Sequence, residues 1–149
     1  MEQMQIQHII DSLLMKSGST AGVKLETMFP GSKIAGGKYS MGSHTITLYI
    51  EEIKSQCLHM FSSLDRFFEY VAIVFAHEIG HAEDKELEYL ADQLDVVPEM
   101  ERRQIALQIE ENAWRYAETL LPEMDQSFMQ TIIFHSLKSY REHLQPVGA

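Results

Sequence analysis

The sequence predicts an α+β fold, with a small N-terminal β-sheet packed beside a helical majority. Residues 44–50 alternate polar and apolar through Thr45, Ile46, Thr47 and Leu48 after a Gly42-Ser43 turn, the period of a half-buried strand. Beyond them the pattern is helical to the end, with breaks near Glu83-Asp84, Val97-Pro98 and Pro122. With 149 residues, 45% of them hydrophobic and 23% charged, the chain suits a single domain spanning 1–149 with its own core.

The elements follow in order. Ile6, Ile9, Ile10, Leu13 and Leu14 fall at helical spacing and predict an amphipathic helix over about 2–16, with Gly18 as its C-cap. Residues 23–29 read as a strand stopped by Pro30-Gly31. Gly36-Gly37 reads as a turn or bulge. Residues 67–76 are apolar on nearly all sides, as a buried helix requires, with Ser62 or Ser63 as its cap and Asp65 in its first turn. A long helix is expected over 99–121.

Composition narrows the function classes. The formal net charge of −10 disfavours a phosphate-binding surface, since Arg102-Arg103 is the only basic pair and acids surround it. No nucleic-acid partner is expected. No run approaches the roughly 18–20 apolar residues that span a bilayer, and no basic segment precedes an apolar one at the start. Cys57 is the single cysteine, so neither an internal disulfide nor a thiolate cluster forms. A cytoplasmic protein without a membrane partner is the expectation.

The chemistry concentrates in His77-Glu78-Ile79-Gly80-His81, at the end of the buried helix. Histidines four apart project from one face about a turn apart, so two imidazole nitrogens can share one zinc ion. Glu78 points toward the open side of such an ion, where it can take a proton from water. Burying these groups without a strong partner is costly, and a metal supplies that partner. Gly80 lets another backbone approach closely.

Catalytic zinc generally takes three protein ligands. Leu87 stands where an extended histidine motif would place its third. Asp92, Asp95, His135 and His143 are alternatives. Glu110 is favoured, because it shares a helix stripe with Ala106, Ala113 and Ala117, whose small side chains let that face lie against the histidine helix. Glu111 is the competing register, four residues before Arg115 on a face that suits solvent. Tyr116, His135 and Tyr140 are weaker candidates for polarising a carbonyl. The strand at Thr45, Ile46, Thr47 and Leu48 is expected to be a sheet edge that pairs with an extended peptide.

Phe75 to Ala82, followed by Glu110-x-x-Ala113-Trp114-x-x-Ala117 and Leu120-Leu121-Pro122, resembles the glutamate-zincins, and most of all the ImmA/IrrE-type metallopeptidases. The resemblance covers roughly residues 44–122. It implies a zincin-like fold, one Zn2+ ion per chain held by His77, His81 and Glu110, and Glu78 as catalytic base. It further implies a protein or peptide substrate, such as a cytoplasmic regulator or repressor. Two positions depart from the pattern: Asn112 stands where many relatives carry Glu, and Trp114 where some glutamate-zincins carry an Asp that orients a histidine. No helix-turn-helix segment is evident. The competing expectation is a zinc-stabilised interaction module that cleaves little or nothing.

Overall fold

A computed structural model describes residues 1–27 and 36–144. Its described elements are α1 (Glu2–Ser17), β1 (Gly22–Glu26), β2 (Gly37–Ser40), β3 (Thr45–Tyr49), α2 (Ile50–Phe61), α3 (Phe67–Ala82), α4 (Leu87–Gln93), α5 (Glu99–Leu120) and α6 (Gln126–Glu142). The α+β class and the helical majority are as the sequence indicates. Among the described residues no helix is long and apolar enough to cross a membrane.

α1 buries Ile6, Ile10 and Leu13 and ends on Gly18, whose φ of 72° and N–H bond to the Leu14 carbonyl form the expected left-handed cap. The strands assemble in the order β1-β3-β2. β3 lies parallel to β1, with Val23 opposite Ile46, and antiparallel to β2, with Tyr39 opposite Ile46. The predicted edge strand is therefore the central one. Thr45, Ile46, Thr47 and Leu48 have partner strands on both sides, and their backbone is committed to the sheet. On the β2 side the outermost strand among the described residues is Gly37–Ser40.

Three further readings change. Gly36-Gly37 leads into β2 rather than turning within a loop, and the Gly36 carbonyl accepts from the Tyr49 N–H at 2.8 Å. β1 ends at Glu26, and positions 28–35 of the expected strand and glycine segment lie outside the described residues. Ser62 caps the end of α2 with φ 58° instead of the start of α3. Arg66 precedes α3 without a side-chain cap, and Glu69 is the acid in its first turn.

α3 is the hub, touched by α1, α2, α5, β2 and β3. Val71, Ile73, Phe75 and Ile79 are fully enclosed, each stabilising the fold by roughly 1.5–3 kcal/mol relative to exposure. Such burial on every side explains why its sequence is apolar all round. α5 begins after the extended Pro98 with Glu99 and Glu101 near its positive end. α6 is capped by the Asp125 carboxylate, which accepts from the Phe128 N–H at 3.2 Å.

Candidate metal centre

The site forms where α3 and α5 come closest. A Cβ added to Gly80 would fall on the Ala113 backbone, 2.8 Å from its Cα. Ala113 and Ala117 are wholly buried in this seam, while Ala106 is only half-buried at its margin. With only small residues at this contact, the helices bring Glu110 of α5 against the histidine face of α3.

His77 and His81 lie one turn apart with ring centroids 4.6 Å from each other. Glu110 meets both: Oε1 lies 2.9 Å from His77 Nε2 and Oε2 lies 3.3 Å from His81 Nε2. Glu78, only 5% exposed, turns Oε2 to the other nitrogen of His77, Nδ1, at 3.1 Å. The two carboxylates thus hold opposite sides of one imidazole.

The electrostatics follow from this packing. Burial disfavours a charged His77, but the Glu78 and Glu110 carboxylates outweigh it and push its pKa up to about 9. Burial would raise Glu110, yet its bonds to His77 and His81 hold it well below the usual carboxylate range.

Ligand atoms of His77, Glu78 and His81 lie within 4.8 Å of one another and could hold a metal ion. Two ligand sets are conceivable, with either glutamate as the third donor. Geometry favours Glu110, because its oxygens face the Nε2 atoms of both histidines, whereas Glu78 faces only His77 Nδ1. Two imidazoles and a carboxylate converging this way could hold a divalent metal ion. His81 Nδ1 is buried without a hydrogen-bond partner among the described residues.

A cleft of about 610 Å³ opens over His77, Glu78 and Glu110. α2 supplies one wall through Gln56, His59 and Met60, the start of β2 another through Gly36 and Gly37, and α6 a third through His135, Ser136 and Tyr140. Burial, then the charges of Glu110 and Glu78, raise the Tyr140 phenol and keep it protonated. A Cβ on Gly37 would lie 2.9 Å from Glu78 Cγ, so the β2 backbone leaves the room that this carboxylate occupies.

The other candidates separate cleanly. His135 and Tyr140 line the cleft; Tyr116 does not, its phenol raised by burial and then by the charge of Glu83. Glu111 turns toward Arg141 of α6 at 4.0 Å rather than lying over Arg115. Asp92, Asp95 and His143 are exposed and outside the cleft.

Sequence reasoning missed Gly37 and the role of Trp114. The indole stacks on the His77 ring, with centroids 4.2 Å apart and planes 26° from parallel. Its i,i+4 spacing from Glu110 was the available signal.

No protein-family model, curated protein or solved structure matches this chain.

Proposed function

We propose that the protein is a zinc-dependent endopeptidase of the glutamate-zincin type, acting on an extended segment of a protein substrate. The observation that carries the reading is the Glu110 carboxylate meeting both histidines while Glu78 stands beside them at the floor of an open cleft. The motif's resemblance to ImmA/IrrE-type metallopeptidases supports the same reading.

His77, His81 and Glu110 would hold the zinc ion, which when bound supplies Lewis acidity to polarise a carbonyl and to acidify water near neutral pH. Glu78 takes the proton of the attacking water on its carboxylate and later delivers it to the leaving amine. Tyr140, protonated and facing the cleft, donates its O–H to the oxygen where negative charge develops. The substrate lies along β2, which pairs only with β3 among the described residues and whose first residue borders Glu78. Met60, Tyr70, Val74 and Ile132 give the cleft an apolar end suited to a hydrophobic side chain. By resemblance, a cytoplasmic regulator or repressor is the proposed substrate.

A zinc-stapled interaction module is the competing reading, and the Glu110 bridge between α3 and α5 is what favours it. Such a staple has no use for Glu78 as a base. The deciding experiment compares Glu78→Gln with the unaltered protein for zinc content and for cleavage of a quenched-fluorescent peptide library. Equal zinc with cleavage reduced at least 100-fold, the scale of general-base catalysis, is the expected result. Cleavage at the unaltered rate in the variant rejects the mechanism. No cleavage by the zinc-loaded unaltered protein favours the module.

A further inference from the structure

His77 has a carboxylate at each ring nitrogen, and these bonds resist rotation of the ring only while both carboxylates stay in place. The terminal torsion of histidine is broad, and rotation about it carries both nitrogens away from Glu78 and Glu110. Such rotation passes through an orientation perpendicular to the starting plane. The ring of Trp114 lies across that path, stacked on His77 at 4.2 Å.

The indole is itself fixed. It is 4% exposed, and its Nε1–H donates to Ser136 Oγ of α6 at 3.0 Å. Glu110 and Trp114 are one turn apart on α5, so a single helix face brings a carboxylate to the edge of His77 and an aromatic plane to its face. Histidines that bind metal are usually oriented by a hydrogen bond from their other nitrogen to a carboxylate or carbonyl. For His77 that nitrogen faces Glu78, the group proposed to move protons, which gives up the contact whenever its carboxylate turns to water. Orientation must then come from elsewhere.

We propose that Trp114, anchored by Ser136, is the positioning residue that holds the His77 imidazole in its metal-binding orientation. Stacking thus takes the place of a dedicated orienting carboxylate, and it links the ligand to the α6 wall of the cleft. The inference rests on the reading of His77 as a zinc ligand.

The test measures zinc affinity by competition with a chromogenic chelator for the unaltered protein, Trp114→Leu, Trp114→Phe and Ser136→Ala. Trp114→Leu is expected to weaken zinc binding at least tenfold, within the 10–100-fold range typical of groups that orient ligands. Trp114→Phe keeps a stacking ring and loses the N–H, and Ser136→Ala loses the acceptor; each is expected to cost about threefold, and their combination no more than either alone.

A second readout needs no metal. Nitrogen-15 spectra of the zinc-free protein should show one sharp set of His77 ring resonances, broadened in Trp114→Leu. Since Trp114 is the sole tryptophan, its emission should also change on zinc addition. Zinc affinity within twofold of the unaltered protein in Trp114→Leu overturns the inference and leaves the zinc site standing. If that variant does not fold, affinities within 1.5-fold in both Trp114→Phe and Ser136→Ala overturn it equally. An unaltered protein that takes up no zinc removes the zinc reading and this inference together.

Discussion

Two glycines bring neighbours close to the site, and they differ in what they touch. Gly80 lies on the backbone of Ala113, helix against helix, where neither partner can turn aside. Gly37 lies against side-chain atoms of Glu78 and Val74, which can shift where a helix backbone cannot. One close approach therefore belongs to stability and the other, on the proposed mechanism, to chemistry. A glycine beside an active group does not by itself say which; the rigidity of the atom opposite decides.

The largest expected effect is at the rigid contact. Gly80→Ala should destabilise the protein by about 2–3 kcal/mol in urea unfolding, because the clash with the Ala113 backbone outweighs the better helix propensity of alanine. A neutral or stabilising result would mean that the α3–α5 seam is looser than described. Gly37→Ala should leave the unfolding midpoint nearly unchanged and reduce peptide cleavage roughly 30-fold by displacing Glu78. An unfolding midpoint lowered as far as by Gly80→Ala, or cleavage at the unaltered rate, would break the contrast.

The next effect tests which face of α5 belongs to the seam. Glu110→Gln should weaken zinc retention at least tenfold, and Glu111→Gln less than twofold, both measured by elemental analysis after dialysis against a chelator. The reverse order would shift the register by one residue.

The smallest effect is in pH. In the zinc-free protein His77 has a raised pKa of about 9, so its contribution is complete below the ordinary value near 6.5 and is lost as pH rises toward 9. Glu110 has a lowered pKa, so its contribution is present above the ordinary carboxylate value and is lost as pH falls below it. Zinc-free stability should therefore peak at about pH 5–6.5, as followed by thermal unfolding. Gly37→Ala should leave the Glu110 limb of this profile unchanged, because that pair spans the α3–α5 seam and not β2.

What could be read from the chain divides along the same lines. His77, His81, Gly80, Glu110, Ala113 and Ala117 were legible because a helix repeats every few residues, so a stripe in the sequence is a stripe in space. The choice of Glu110 over Glu111 followed from its alanine neighbours. Strand order carries no such local signal. β3 alternates as an edge strand would, yet β1 and β2 flank it, a pairing set by contacts distant in sequence. Gly37 was out of reach for the same reason, since its meaning depends on β2 lying over Glu78. Ser62 and Ser63 are good caps by type, but Arg66 precedes the helix, and Ser63 instead accepts from the Asp65 N–H through its side chain.

β3 passes into α2 between Tyr49 and Ile50 with no residue in between. In mechanical terms the sheet and the α2 wall of the cleft are one lever, without a loop to absorb a change in backbone angle. α3 and α5 are locked at Gly80. The remaining wall, α6, buries Phe128, Met129, Ile132, Ile133 and Leu137 and is tied to α5 by the bond from Trp114 to Ser136. Each of these walls is thus continuous with the sheet or bedded in the core, so the width of the cleft is set by the same packing that folds the chain.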